Sequence, residues 1–343
     1  MKRIMRKVVL VTMVVAAMVV PQPLSASEEL SITDLGTLGG TDSLAYAINN
    51  GGQVGGASYT ASDELFRAVI WQDGVITDLG LSVDSVAHGI NERGQVVGVF
   101  SPEGSGHAFL WQDGVVTDLG TLGGIHSAAW AINKRGQVVG QSTTTSDETH
   151  PFVWQAGVMT DLGTLGGTHG VAYDINNRGQ IVGEFHATFS ELHAFLWKKG
   201  TMIDLGTLGG TSSEARAIND RGQVVGQSQT ASGVFHAFLW KKGTMIDLGT
   251  LGGTVSIAYD INNRGQVVGQ SQTASGEVHA FLWEKGTMID LGTLGGTSSE
   301  ARAINERGQV VGRSQTASGE FHAVLWTNRE DETEDETEDE TDD

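Results

Sequence analysis

The chain has no cysteine in 343 residues, so no disulfide can hold it together. It has only four prolines, Pro21, Pro23, Pro102 and Pro151. Cations are scarce: 21 Lys and Arg stand against 41 Asp and Glu, for a formal net charge of −20. Such a chain is a poor partner for nucleic-acid phosphates. Its longest apolar run, Val8 to Val20, has 13 residues. A membrane-spanning helix needs roughly 20. There is no G-x-S-x-G, no H-E-x-x-H and no P-loop, so no familiar catalytic motif is present.

Glycine is abundant, at 48 residues, and it punctuates a repeat. An Asp-Leu pair recurs at Asp34, Asp78, Asp118, Asp161, Asp204, Asp247 and Asp290, in steps of 44, 40, 43, 43, 43 and 43 residues. A period of about 40–45 residues with several short strands per unit marks a propeller blade. In the fifth repeat turn signals leave four short runs: Ser213 to Asn219, Gln223 to Gln229, Phe235 to Trp240 and Thr244 to Leu248. Gly-Gly of T-L-G-G reads as a turn. After Trp326 the expected fourth run is missing, and its counterpart stands at the other end, Leu30 to Leu35. An N-terminal strand completing the last blade would leave no naked edge. The expectation is an all-β, seven-bladed β-propeller with four short antiparallel strands per blade, closed by that strand. An open β-solenoid is the other architecture.

Residues 1–26 read as a signal peptide: a basic start, the apolar run, then small residues ending at Ala26. Its removal takes away Lys2, Arg3, Arg6 and Lys7 and moves the charge from −20 to −24. Residues 27–326 form the propeller, and 327–343 a disordered acidic tail with 11 carboxylates between Glu330 and Asp343. Localisation follows as secreted, extracellular or periplasmic, with no membrane attachment after cleavage.

The third run reads His-Ala-Phe-Leu-Trp from His107, His193, His236 and His279, with variants at Arg67, His150 and His322. Together with D-L-G-x-L-G-G and A-I-N-x-R-G-Q-V-V-G, this resembles the bacterial extracellular HAF-repeat family across nearly all of residues 30–326. The resemblance implies export and repeat architecture and supplies no catalytic residues. The first repeat departs from the pattern at Arg67 and Gly51, and the second lacks T-L-G-G.

Residues present in every repeat have a structural job. The D-L-G aspartates suit Asx turns, the A-I-N asparagines open hairpins, and the six strand-three histidines suit a bond to a neighbouring carbonyl or carboxylate. A repeated Asp–His metal site is the sharper alternative.

The first run instead holds one large, variable residue per repeat: Tyr46, His88, Trp130, Tyr173, Arg216, Tyr259 and Arg302. With strand one innermost, these would ring the channel as a ligand-binding set, since aromatics and Arg suit recognition. Packing against the next blade is the structural alternative. His126 and His169 join the candidate ligand-binding set, and Phe185, His186 and Phe189 are further singular residues of the fourth repeat. Turns after the first and third strands collect Arg and Lys from Arg93 to Arg307, so one face is expected to be basic and the opposite face acidic. The tail would leave from the basic face.

The function expected is a non-catalytic, monomeric binding propeller for a polysaccharide or an envelope protein, without cofactor. One alternative is a glycan-active propeller hydrolase or lyase, for which His88, His126 and His169 are the only acid–base candidates. Another is a calcium-dependent matrix or adhesion protein using acidic-face carboxylates and the tail.

Overall fold

A computed structural model describes residues 30–328 except 63–64 and 189–190. The expected signal peptide, the expected acidic tail beyond Asn328 and Phe189 lie outside the described residues. Those described form 28 strands and one short 3-10 turn, Pro102–Gly104. No helix among them is long and apolar enough to cross a membrane.

In the fifth repeat the strands are Gly209–Ile218, Val224–Thr230, Phe235–Lys241 and Thr244–Asp247, paired antiparallel in chain order. Five such four-stranded sheets stand alone. The other eight strands are joined by a single parallel bridge, Val278 to Ser298, between two groups of the same pattern. In the last group the fourth place is taken by Leu30–Asp34, paired with Phe321–Asn328 from Leu30 opposite Asn328 to Asp34 opposite Val324. The third strand therefore runs through Asn328. The expected end of the folded part at 326 is corrected, because Thr327 and Asn328 pair with Ser31 and Leu30.

Each core lies between neighbouring repeats. Val182, Ala194 and Leu196 of the fourth pack on Ala215, Ile218, Val224 and Phe238 of the fifth. The same arrangement joins Val311 and Ala323 of the last repeat to Ala45, Val69 and Trp71 of the first. A fully buried Phe or Val contributes about 1.5–3 kcal/mol.

The A-I-N asparagine explains the hairpin. Asn219 Oδ1 accepts from the amides of Arg221 and Gln223, and Gly222 takes a φ of +77°. Its Nδ2 donates to the carbonyl of Asn262 in the next repeat. The same bond, 3.0–3.2 Å long, links Asn49, Asn91, Asn133, Asn176, Asn219, Asn262 and Asn305, and Asn305 donates back to Asn49.

A buried serine clasps repeats together at the start of strand one. The amides of Ala68, Ala108, Ala194, Ala237, Ala280 and Ala323 donate to Ser85, Ser127, Ser213, Ser256, Ser299 and Ser43 of the following repeat at 2.8–3.0 Å. The one junction without this bond has Pro151, which has no N–H, facing Gly170, which has no hydroxyl. A Cβ on Gly170 would lie 3.0 Å from Pro151 Cδ, so the two departures fit each other.

The first strand starts earlier than the sequence reading placed it. Gly209 and Gly210 belong to the strand, with Gly209 at a φ of +100°. Leu208 N donates to Ser228 Oγ, which holds the T-L-G-G segment beside strand two. The second and fourth repeats have Phe100 and Phe185 in place of that serine, and there strand one is short, Ser85–Ile90 and Gly170–Ile175.

Candidate functional site

First strands of successive repeats touch one another, and that of the last repeat touches that of the first. Every first strand carries a bulge. The pairing skips one residue in each, and the skipped residues are Tyr46, His88, Trp130, Tyr173, Arg216, Tyr259 and Arg302. A bulge leaves its residue outside the ladder and re-aims the side chain. The neighbouring glycine of V-V-G permits this closeness: a Cβ on Gly226 would sit 1.9 Å from the carbonyl oxygen of Glu214.

The seven side chains form a belt. Tyr46 meets His88 edge-on at 5.1 Å, His88 tilts onto Trp130 at 4.3 Å, and Trp130 meets Tyr173 at 5.9 Å. The Arg216 guanidinium covers Tyr173 at 4.4 Å. Arg302 lies over Tyr259 at 4.2 Å and near Tyr46 at 5.9 Å. All seven are half-buried. His126 and His169 stand four residues before Trp130 and Tyr173 in their strands or loops, away from the belt. His126 is exposed, and the His169 ring lies tilted against His186 at 4.8 Å. Phe185 is buried core.

The belt has an aromatic side and a charged side. Arg216 pairs with Glu214, and Glu300 is held between Arg302 and Arg313. Burial works to raise the Glu300 carboxyl, but the two guanidiniums prevail and hold it below its usual range. Tyr173 donates to Glu184 at 3.1 Å. Burial, then repulsion from Glu214, pushes Glu184 up to about 7. Burial drives His88 the other way, to about 3, so its imidazole is neutral. Several buried polar atoms at the belt meet no protein partner: His88 Nδ1, Trp130 Nε1, Arg216 Nε, Arg302 Nε and Glu184 Oε2. Polar groups left unpaired in a buried site cost free energy that a ligand or water recovers.

Below the belt, a cavity of about 170 Å³ opens among the A-I-N isoleucines and Asn133, Lys134, Asp220 and Glu306. Asp174 and Asp260 sit beside it. Each carboxylate bridges two repeats, accepting from Ile175 and Ile218, or from Ile261 and Ile304. Burial raises them to about 7 and about 6.

The repeated His and Asp converge on each other. His Nδ1 lies 2.7–2.8 Å from Asp in the pairs 107–118, 150–161, 193–204, 236–247, 279–290 and 322–34. Each Asp also accepts its Asx-turn amide at 2.8 Å, as Asp204 does from Gly206. Among the described residues no group of three or more His, Asp and Glu is placed to hold a metal ion. In the first repeat Arg67 donates to the Leu81 carbonyl instead.

No protein-family model matches the sequence, and no curated protein matches it. Among solved structures the chain is similar to a puromycin-hydrolyzing peptidase of Mycobacterium tuberculosis, at 13% identity and a TM-score of 0.58, over 90% of this chain and 53% of that one. The β-propeller domain of the Trilobed protease from Pyrococcus furiosus matches at 11% identity and a TM-score of 0.57, over 82% of this chain and 93% of that one. The Pyrococcus horikoshii acylaminoacyl peptidase matches at 12% and 0.50, over 82% and 51%. The fold is a β-propeller. At such identity the likeness extends to the fold alone, and this chain spans about half the length of the two peptidases.

Sequence reasoning named the seven belt residues but missed the charges that surround this propeller's centre. Glu184 and Arg313 stand where other blades have Gln141, Gln227 and Gln270, and Glu214 and Glu300 where others have Leu44, Val86 or Ile257. Aligning strands one and two blade by blade would have exposed them.

Proposed function

We propose that this chain is an exported, closed seven-bladed propeller of the HAF-repeat type that binds a ligand at its central belt without transforming it. Closure is supported by the bond from Asn305 back to Asn49 and by the pairing of Leu30–Asp34 with the last blade. Export rests on residues 1–26 and places the protein outside the cell or in the periplasm. One observation carries the binding reading. The same bulge in every blade presents a different side chain to a shared centre, and unpartnered polar atoms accompany them. Aromatic faces flanked by guanidinium and carboxylate groups suit a polysaccharide, and an envelope protein is the other ligand class. The protein acts as a monomer, without nucleic acid or cofactor.

The test is a thermal-shift screen of residues 27–343 against polysaccharides, with and without calcium. A shift with one glycan that disappears in Trp130→Ala supports the belt. A calcium-only shift points to an adhesion protein instead. No shift with any glycan moves the search to envelope proteins.

A second reading has an observation of its own. A carboxyl that titrates near 7, as Glu184 does, can serve as a general acid on a glycosidic oxygen. His88, neutral down to about 3, is a poor candidate for that role. Turnover of a bound glycan that Glu184→Gln abolishes, with binding retained, would replace the non-catalytic reading.

A further inference from the structure

The turns after the first and third strands meet on one face, and between the fourth and fifth blades they enclose a groove. Arg178, Lys198, Lys199, Arg221 and Lys242 line it, with Trp240 along its wall and an enclosed volume of about 430 Å³. All five cations are exposed, and none takes part in an ion pair among the described residues. The next junction repeats the pattern with Lys241, Arg264 and Lys285. The first two blades have Asp73 and Asp113 where Lys199 and Lys242 stand. The third-strand turns are therefore cationic only over the fourth to sixth blades, where they add to a row of hairpin arginines that runs from Arg93 to Arg307. Its nearby acids are engaged: Asp220 accepts from Asn177, Glu306 from Asn263, and Glu284 pairs with Lys285. Successive cationic grooves at a regular interval suit a linear polyanion better than a single small anion.

This chain carries such a polyanion. Residues 330–343, outside the described residues, hold 11 Asp and Glu and no cation. The last described residue, Asn328, stands two positions after Trp326, as Lys285 does after Trp283 and Lys242 after Trp240. The segment thus departs from the same face, one blade from Lys285. Fourteen residues reach about 46 Å when extended. Three sheet-to-sheet steps of about 10 Å separate the seventh blade from the fourth.

We propose that residues 330–343 dock across the basic sector of the fourth to sixth blades, with the Arg178–Lys242 groove as the main seat. The segment then shields this face from other polyanions, and salt releases it.

Because the chain has no cysteine, a nitroxide on Thr337→Cys labels one position of the full chain. Its spectrum is read at about 0.01 M salt, where the Debye length is about 30 Å, and at about 1 M, where it is about 3 Å. A slow component is expected at low salt, lost at high salt and lost in Lys198→Glu/Lys241→Glu. Circular dichroism checks that this exposed double variant folds. A label equally fast at both salts overturns the proposal. A slow label that the double variant leaves unchanged overturns the assignment to this sector. Equal heparin binding by the full chain and by a chain ending at Asn328 would give the grooves to an external polyanion and also overturn it.

Discussion

At the end of each first strand one asparagine makes the same bond to the next blade seven times over. Three residues earlier, at the bulge, the seven positions hold Tyr, His, Trp or Arg. Two positions three residues apart are thus uniform across the repeats in one case and varied in the other. The asparagine satisfies its own hairpin and the neighbouring carbonyl, so no other side chain can replace it. The bulged residue lies outside the ladder and contributes little to pairing, so its chemistry is free to vary. The frame is assembled from backbone partners, and the centre is left to side chains.

The frame should break hardest where backbone meets backbone. Gly226→Ala pushes a Cβ to 1.9 Å from the Glu214 carbonyl oxygen. Overpacking of this kind costs about 3 kcal/mol, and a denaturant titration should show it. Ser213→Ala strands the Ala194 amide and should cost about 1–3 kcal/mol. The natural exception sharpens the point in a double-mutant cycle. Gly170→Ser alone collides with Pro151, and Pro151→Ala alone leaves an amide unpaired. The double variant should be more stable than the sum of the two, and simple additivity would deny the clasp.

Asp174 tests the frame through pH. Its carboxyl titrates near 7 in the fold, against about 3.9 in an unfolded chain, so the fold favours the protonated form. The stability it contributes is complete below about pH 4 and is lost as pH rises through about 7. Asp260 and Glu184 act in the same direction. Melting temperature should therefore fall between about pH 5 and 8, less steeply in Asp174→Ala. An unchanged slope would remove Asp174 from the account. The smallest effect belongs to the rim: His236→Ala loses a solvent-facing pair with Asp247 and should cost under about 1 kcal/mol.

Much of this frame was legible in the sequence. The period, four strands per repeat and the split last repeat all follow from the spacing of Asp-Leu, Gly and Trp. The Asx turns were readable because a local spacing of 2 residues determines them, whereas the histidines were left with a carbonyl or a carboxylate as partner, and only the pairing of strands three and four shows that it is the Asp. The bulge was not readable, since it exists only in the register between two strands. Nor was the early start of strand one at Gly209, which depends on Ser228 across the sheet. The belt residues were nameable as the variable set, but their contacts cross blades about 43 residues apart. The shifted Glu184 escaped notice because Glu for Gln in one blade looks like surface drift until burial is known.

Leu30–Asp34 finds its partner at Phe321–Asn328, nearly the whole chain away. A chain made from its N-terminus presents this strand first and can seat it last. Six blades can assemble while it waits, and only the arrival of His322, Ala323 and their neighbours supplies the partners of Asp34 and Ser43. This pairing is a long-range contact, and such contacts form slowly compared with local hairpins. A variant that weakens this pairing, such as Ile32→Ala, should therefore unfold faster than the unaltered chain.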